Sequence, residues 1–268
     1  MKIKFFITWL LLIFCLSIPA YSVQISENNG IYHVVLKSNN KTLKKLKCIA
    51  TQDLMTNREI HKKSKAVLTI NGGFFDPVNK KTVSYVYTDR SLVEDPIFNE
   101  NLYKSGVVRK NMDKILNRTE FRVLECFDGY RTEISAHKNP VDFECQLVSA
   151  VQGGPLIYPQ LQLEEEFFIL KDDEGNVIRE SASVLHRTPR TIVGLEGDKY
   201  IHFIIFTDNH PVTLEEAAQY CKELGIDRAM AMDGGGSTSL NYKNKIEVVS
   251  TPEKNQGRAL KSFIMLYK

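Results

Sequence analysis

The sequence predicts an α+β fold, a single domain with a mixed, mostly antiparallel β-sheet and a few flanking helices. Short apolar, β-branched runs bounded by turn residues recur along the chain, which is the pattern of strands. The clearest helical repeat of apolar residues is a single segment, residues 213–225. The 268 residues contain no internal repeat and no obvious linker, so we expect one domain.

The first 22 residues are predicted to be a secretory signal peptide. Lys2 and Lys4 give a positive start, residues 5–16 are almost all apolar, and Ala20 and Ser22 offer the two small side chains needed for cleavage. The apolar run is about a dozen residues long, against the roughly 20 that a spanning helix needs. An uncleaved membrane anchor is therefore the weaker alternative. We expect residues 23–268 to be exported, periplasmic or secreted, without a stable membrane span, and the composition favours a bacterial source.

Net charge and cysteine usage exclude two classes of function. The formal charge of +3 falls to +1 without Lys2 and Lys4, and no basic stripe with interleaved aromatic residues is present. Nucleic acid is therefore not an expected partner. No cysteine or histidine spacing indicates zinc. Because export permits disulfides, Cys126 and Cys145, which flank a turn-rich segment, are the predicted pair, and Cys221 is a predicted buried thiol.

The strands are predicted from apolar runs that end at turn residues. The sequence from residue 191 to 206 predicts a hairpin that turns at residues 196–198. Residues 79–117 are polar and irregular, and we expect long loops or an insertion there. Residues 163–179 are charged and allow no assignment. The strand segments are residues 31–36, 46–51, 66–70, 121–127, 147–151, 191–195, 200–206, 229–232, 237–242 and 262–267.

The predicted helix has start and stop signals. Thr213 and Glu216 have the spacing of a capping box, in which the threonine accepts a free N–H and the glutamate reaches back to the cap. Gly225 can adopt the left-handed conformation that ends many helices. The apolar residues between them fall on one face, so the helix is expected to pack on the sheet.

Three short segments share one design, in which an apolar strand leads into glycines and then polar groups. They are residues 71–76, 152–155 and 233–238. Glycine lets the chain turn sharply and lets N–H groups approach a ligand, and successive N–H groups in such turns can bind anions. Turn punctuation is the alternative for any one of them. We predict that the segments bind substrate through Asn71, Gly72, Gly73, Gly153, Gly154, Gly234, Gly235, Gly236, Ser237 and Thr238.

Asp233 is the first catalytic candidate, because it follows the apolar residues 229–232 and is expected at the mouth of a buried strand. A carboxyl there can act as general acid or base, as nucleophile or as metal ligand. Asp76 and Asp208 also follow strands and are further candidates, since glycoside hydrolysis usually needs two carboxylates. The alternative for Asp233 and Asp76 is a capping role within the turn.

Three arginines are candidates for binding an anionic group. Arg187 and Arg190 lie three residues apart around Pro189, and Arg258 precedes the last predicted strand. The planar guanidinium group offers paired donors that match phosphate or carboxylate. A surface position is the alternative for each arginine taken alone.

Taken together and in this order, these segments resemble the phosphodiester glycosidase family. The resemblance spans about residues 66–267, the core of the expected domain. The block from the helix into Asp-Gly-Gly-Gly-Ser-Thr is its most specific part. The matching residues are NGGFFD at 71–76, QGGPLI at 152–157, RTIVG at 190–194, TLEEAAQYCKELGIDRAMAMDGGGSTSL at 213–240 and the Arg258 segment.

The resemblance implies hydrolysis of a sugar-1-phosphodiester with release of the sugar, the partner being such a diester or a cell-envelope glycan. Glycine N–H groups and arginines would bind the phosphate. Because the phosphodiester leaving group is a weak base, one carboxylate would suffice to stabilise charge or activate water, and we expect Asp233 before Asp76 in that role. Residues 79–117, adjacent to the first glycine segment, are expected to shape the sugar pocket.

Two other functions remain open at this point. A noncatalytic envelope protein could bind polysaccharide or a phosphosugar polymer with the same loops. A metal-dependent phosphatase could hold Mg²⁺ or Ca²⁺ on Asp76, Asp208 and Asp233. The sequence shows no known metal spacing, so we expect no metal ligand set and no cofactor, with a divalent cation left as the alternative.

Overall fold

Three antiparallel β-sheets and a two-stranded ribbon form the frame of the protein in a computed structural model. The structure describes residues 23–250 and 257–268. The predicted signal peptide, residues 1–22, lies outside the described residues. Among the helices of the described residues, none is both long and apolar enough to cross a bilayer.

The largest sheet has six strands and holds the predicted hairpin. Its order is β1-β2-β14-β13-β15-β10. The hairpin is confirmed, with Arg190 paired to Phe206 at its open end and Glu196 paired to Tyr200 at the turn. The strands are β1 (Val23–Asn28), β2 (Ile31–Lys37), β10 (Leu156–Tyr158), β13 (Arg190–Glu196), β14 (Tyr200–Phe206) and β15 (Arg228–Ala231).

Two five-stranded sheets complete the frame, in the orders β17-β16-β4-β18-β3 and β6-β5-β9-β7-β8. The first consists of β3 (Leu46–Thr56), β4 (Leu68–Asn71), β16 (Ser239–Tyr242), β17 (Ile246–Val249) and β18 (Ala259–Leu266). The second consists of β5 (Val86–Thr88), β6 (Ser91–Glu94), β7 (Thr119–Cys126), β8 (Gly129–Ala136) and β9 (Cys145–Gln152).

The helices are short and lie at the edges and faces of the sheets. The ribbon pairs β11 (Ile169–Lys171) with β12 (Val177–Glu180). The helices are α1 (Asn40–Leu43), α2 (Asn57–Ser64), α3 (Asn101–Lys104), α4 (Gly106–Lys110), α5 (Met112–Leu116) and α6 (Leu214–Glu223), with 3-10 turns at Pro96–Phe98 and Gly235–Ser237.

One apolar core joins the three sheets. Val34 of the first sheet, Ile264 of the second and Phe121 of the third belong to the same buried cluster. A second cluster lies between the six-stranded sheet and α6, where Ile192 and Ala217 are fully buried. Burial of apolar area stabilises a domain by roughly 25 cal/mol per Å², so this shared core holds the three sheets in one unit.

The α+β prediction is correct in outline, but the sheet is not mixed. Every pairing between the strands of the described residues is antiparallel, because hairpins and returning strands connect neighbours. Residues 79–117 are not merely loops, since they form β5, β6 and helices α3 to α5. Residues 163–179, to which the sequence allowed no assignment, contain β11 and most of β12.

The predicted helix and disulfide are both present. The α6 helix begins after Thr213, whose hydroxyl accepts from the Glu216 N–H at 3.2 Å, while the Glu216 carboxylate accepts from the Thr213 N–H at 2.9 Å. Gly225 ends it with φ of 75°. Cys126 is bonded to Cys145. Cys221 is a buried free thiol, and burial raises its pKa to about 12.

Candidate active site

The three glycine segments meet at one point of the fold. The Asp233 N–H donates to the Gly72 carbonyl at 3.2 Å, and the Gly154 N–H donates to the Ala231 carbonyl at 2.9 Å. A Cβ added to Gly73 would lie 2.1 Å from the Gln152 carbonyl oxygen, so only glycine allows the first and second segments to approach this closely. The ends of β4, β9 and β15 are thereby brought together.

The glycine N–H groups are used differently from the prediction. We expected them to bind substrate phosphate, but five of them donate to acceptors within the protein. The glycines are required here because the segments pack backbone against backbone. These five N–H groups already have protein acceptors, so the prediction that they bind phosphate directly was wrong. The pairs are Gly72 to Ser262 O, Gly73 to Ser262 Oγ, Gly153 to Thr119 O, Gly154 to Ala231 O and Gly235 to Pro189 O.

Asp233 lies two residues beyond β15 and is partly buried. Burial raises the pKa of its carboxyl to about 6, opposed by hydrogen bonds from Ser237 and the Gly234 N–H and by the positive charge of Arg258. Desolvation favours the neutral acid and therefore acts against these donors. A carboxyl with a pKa near neutral can exchange protons during a reaction at physiological pH.

Ser237 connects Asp233 to Arg258. Its hydroxyl bonds the Asp233 carboxylate and lies 3.3 Å from Arg258 Nη1, which donates to it. The Arg258 guanidinium lies 5.0 Å from the centre of the Phe75 ring, which restricts its position. Ser237 is fully buried within the 3-10 turn that Gly235 and Gly236 begin, and Thr238 after it is also fully buried.

Asn71 positions this segment. Its side-chain Nδ2 donates to the main-chain oxygen of Asp233 at 2.7 Å. Its Oδ1 accepts from Thr191 Oγ1 at 2.7 Å and from the Ser239 N–H at 3.0 Å. Asn71 is buried and does not line the cavity described below, so the structure gives it a positioning role.

A cavity of about 400 Å³ opens beside Asp233. Its charged lining consists of Asp233 and three arginines, Arg118, Arg179 and Arg258. The rest is mostly apolar and includes Phe74 and side chains of α3, α4 and α5. The structure thus places residues 79–117 over the cavity, next to the first glycine segment. The lining has an excess of positive charge and is suited to an anionic ligand.

Sequence reasoning missed Arg118 and Arg179. Arg118 directly precedes β7, whose Glu120 pairs with Gln152, so the second glycine segment lies beside it. Arg179 belongs to β12 of the ribbon. No local sequence pattern identifies either arginine as a site residue. The position of Arg118 follows only from the pairing of β7 with β9, which the sequence does not show.

Two predicted aspartates lie outside the cavity lining. Asp76 accepts from the Val78 N–H at 2.8 Å and from Asn101 Nδ2 at 2.7 Å, so it caps a turn and ties that turn to α3. Burial raises the pKa of Asp76, but these donors and Lys104 outweigh burial and the net shift is downward. Asp208 is exposed in the turn after β14. The structure brings neither carboxylate to Asp233.

Two predicted arginines are also elsewhere. Arg187 is exposed and forms an ion pair with Glu216 of α6. Arg190 is buried and donates to the carbonyls of Ser183 at 2.8 Å and His186 at 2.7 Å. Burial lowers the pKa of Arg190 to about 10. Arg190 packs behind Gly234 and braces the loop of residues 183–186 rather than lining the cavity.

The described residues contain no group of three or more histidine, cysteine, aspartate or glutamate side chains placed to hold a metal ion. The only carboxylate among the described residues that line the cavity is Asp233. A phosphatase site built on Asp76, Asp208 and Asp233 together is therefore not assembled in the described chain.

The fold and the cavity define a β-rich protein with one acid of raised pKa in an arginine-lined pocket. The model of the phosphodiester glycosidase family matches residues 64–267. The chain belongs to this family. A comparison with curated proteins gave no match.

Solved structures share the fold. The catalytic domain of zebrafish N-acetylglucosamine-1-phosphodiester alpha-N-acetylglucosaminidase, auto-inhibited by its pro-peptide, matches with a TM-score of 0.64 and 15% identity over 92% of this chain and 83% of that chain. A candidate exported protein of Burkholderia pseudomallei matches with a TM-score of 0.63 and 13% identity, over 89% of this chain and 74% of its own. A hypothetical protein from Synechocystis matches with a TM-score of 0.58 and 14% identity, over 91% and 61%. At these identities the likeness concerns the fold alone.

Proposed function

We propose that this protein is an exported, periplasmic or secreted, hydrolase that cleaves the glycosidic bond of a sugar-1-phosphodiester. The observation that carries the proposal is the Asp233–Ser237–Arg258 arrangement at the wall of the cavity. It combines one proton-exchanging carboxyl with a guanidinium that suits a phosphodiester anion. Membership of the phosphodiester glycosidase family and the likeness to a candidate exported protein support it.

Arg258 would hold the phosphodiester with the anomeric carbon toward Asp233. The Asp233 carboxylate takes a proton from water, and the water oxygen bonds to the anomeric carbon. The bond between the anomeric carbon and the bridging phosphate oxygen breaks. The electron pair of that bond leaves with the phosphate, so the products are a free sugar and a phosphomonoester. Because phosphate is a weak base, departure needs little help from a general acid. The reaction therefore needs one carboxylate, and no metal or other cofactor enters it.

The substrate panel is a set of p-nitrophenyl sugar-1-phosphodiesters, assayed for free sugar with wild type and with Asp233→Asn. We expect release of sugar by wild type and a loss of about 100-fold or more in kcat for the variant, the range found for general-base residues. Undiminished turnover by Asp233→Asn would remove Asp233 from the mechanism. Binding of the panel without release of sugar would instead support a noncatalytic envelope protein.

Isotope labelling distinguishes the glycosidase from a phosphatase. In water enriched in ¹⁸O, cleavage at the anomeric carbon places the label in the sugar, whereas attack on phosphorus places it in the phosphate. We expect label in the sugar and the same rate with and without a chelator. Label in the phosphate together with loss of activity on chelation would establish a metal-dependent phosphatase instead.

A further inference from the structure

Arg118 and Arg179 form an arginine pair in the wall of the cavity. Arg118 Nη2 lies 3.3 Å and Arg179 Nη1 3.1 Å from the same acceptor, the carbonyl oxygen of Phe167. Phe167 has a positive φ of 55°, a conformation that non-glycine residues adopt at a cost. The shared carbonyl holds two like charges side by side next to the cavity.

Aromatic rings fix both guanidinium groups. Arg118 lies 3.9 Å from the centre of the Phe168 ring and 5.8 Å from that of Phe74, and Arg179 lies 4.2 Å from that of Phe167. Arg118 Nε also donates to the Glu166 carbonyl at 2.9 Å. The two planar groups are therefore preorganised, which lowers the entropy lost when they bind a ligand.

The charge of the arginine pair is poorly compensated within the protein. Among residues 23–250 and 257–268, neither guanidinium forms an ion pair with a carboxylate. Glu166 favours the charged form of Arg118 from nearby, but burial dominates and lowers the pKa of Arg118 to about 10, and Arg179 lowers it further. Burial also lowers the pKa of Arg179. These two adjacent cations, one buried and one half-buried, repel each other, and an anionic ligand would relieve that repulsion.

The arginine pair is separate from the group proposed to bind the phosphodiester. Arg258 contacts Ser237 and the Phe75 ring, whereas Arg118 contacts Phe74 and Phe168. Both groups line the same cavity. The lining contains three arginines and one carboxylate, so its net charge is +2 when Asp233 is ionised. A phosphodiester compensates one of these two charges, and a positive charge remains in the cavity if the substrate has no other anionic group.

We infer that the substrate carries a second anionic group, a carboxylate or a phosphate monoester, which Arg118 and Arg179 bind in the same cavity. The inference rests on the proposed function, because the first anion is the scissile phosphodiester at Arg258. It narrows the substrate class to diesters of acidic or phosphorylated sugars, or diesters with an acidic aglycone.

The test compares matched substrates that differ only in the second anion. They are p-nitrophenyl diesters of glucose 1-phosphate, glucuronic acid 1-phosphate and glucose 1,6-bisphosphate, and a glucose 1-phosphate diester with a carboxylate on the phenyl ring. We expect kcat/KM at least tenfold higher for one of the three substrates with an added anion, the gain typical of one charge-assisted contact. Which substrate gains places the anion on the sugar or on the aglycone. Equal or lower values for all three would overturn the inference.

Substitution of Arg179 connects the preference to the arginine pair. Arg179 is chosen because it is only half-buried, whereas Arg118 is buried and its loss endangers the fold. We expect Arg179→Gln to reduce the preference to about one and Arg179→Lys to retain part of it. The matched control is Arg131→Gln. Arg131 is an exposed arginine of β8 that pairs with Asp128, and we expect its substitution to leave the preference unchanged. An equal loss for neutral and acidic sugars in Arg179→Gln would mean that the arginine pair binds the scissile phosphodiester, and would overturn the inference.

A binding measurement keeps the inference testable if the proposed function fails. Calorimetric titration with the same four diesters reports binding without turnover if no diester is cleaved, and Asp233→Asn replaces wild type if cleavage occurs. Tenfold tighter binding of one diester with an added anion, lost when Arg179→Gln is introduced and kept with Arg131→Gln, supports the second-anion site. Equal affinities for all four diesters contradict it.

Discussion

The Asn71 side chain donates to the main-chain oxygen of Asp233 across 2.7 Å, joining residues 162 positions apart in the sequence. The same side chain accepts from Thr191 and Ser239, so it connects the ends of β4, β13 and β16 to the segment that carries the acid. The position of Asp233 in the cavity is therefore set by a buried amide that does not line the cavity.

Replacing Asn71 tests this positioning role. Asn71→Ala leaves the Asp233 carbonyl, the Thr191 hydroxyl and the Ser239 N–H without their buried partner. Each unsatisfied buried group costs about 1–3 kcal/mol, so we expect the free energy of unfolding to fall by about 3 kcal/mol in urea titrations. Asn28→Ala, at an exposed position of β1, is the control and should stay within about 0.5 kcal/mol of wild type. A variant as stable as wild type would show that the Asn71 contacts contribute little.

The stability of the protein should depend on pH through Asp233. Folding raises the pKa of this carboxyl from 3.8 to about 6, so the folded state favours the neutral acid. The resulting stabilisation is fully present below pH 3.8 and is lost as the pH rises through about 6. Moving a carboxyl pKa over this interval corresponds to about 3 kcal/mol, which is the cost of ionised Asp233 at pH 8.

Asp233→Asn removes that cost because the amide does not ionise. We expect the variant to be more stable than wild type by up to about 3 kcal/mol at pH 8 and nearly equal to it at pH 4, measured by urea unfolding at both pH values. Asp53→Asn, an exposed acid of β3, should give no such difference. A difference between Asp233→Asn and wild type that does not change with pH would contradict the raised pKa.

The same carboxyl should determine the pH dependence of turnover. If the Asp233 carboxylate removes a proton from water, kcat/KM falls as the pH drops through about 6, because this parameter reports the free enzyme. The profile is measured with a sugar-1-phosphodiester between pH 4 and pH 9. Activity that instead falls as the pH rises through 6 would indicate that protonated Asp233 is the active form.

Substitution of Asp76 or Asp208 should reduce kcat much less than substitution of Asp233. Asp208→Asn changes an exposed turn and is expected to keep kcat within about twofold of wild type, in the range of surface substitutions. Asp76→Asn weakens the tie to Asn101 of α3, which covers the cavity, so we expect it to raise KM more than it lowers kcat. Steady-state kinetics on the purified variants separates these effects. A loss in Asp208→Asn as large as that in Asp233→Asn would contradict the assignment.

Gly154 and Gly175 provide a matched test of the packing role of the glycine segments. Both have positive φ, 95° and 86°, but a Cβ on Gly154 would lie 2.2 Å from Glu166 Oε2, whereas one on Gly175 meets open space. We expect Gly175→Ala to cost about 1 kcal/mol from the backbone alone and Gly154→Ala about 2 kcal/mol more from the clash. Urea unfolding of both variants measures the difference. Equal costs would show that Glu166 moves aside freely.

Local signals were sufficient for most of the fold. The capping box at Thr213 and Glu216 and the left-handed Gly225 define α6 within a few residues. Two apolar runs separated by turn residues likewise predicted the β13–β14 hairpin. Such features depend on residues that are close in sequence, and they can therefore be predicted from a single sequence. The mixed sheet was predicted wrongly because strand order and direction depend on partners distant in sequence.

The sequence alone determined helix α6, the ten strand segments predicted from apolar runs, the family resemblance and the choice of Asp233 and Arg258 as candidate residues of one site. Only the tertiary structure decided which donors remain for a ligand. In the structure, glycine N–H groups donate to Ser262, Thr119 and other protein acceptors. Asp76 and Arg190 hold neighbouring loops in place instead of lining the cavity. Arg118 and Arg179 both donate to one carbonyl oxygen. The physical reason is that hydrogen-bond saturation and desolvation are set by contacts between distant segments, as the bond from Asn71 to Asp233 shows.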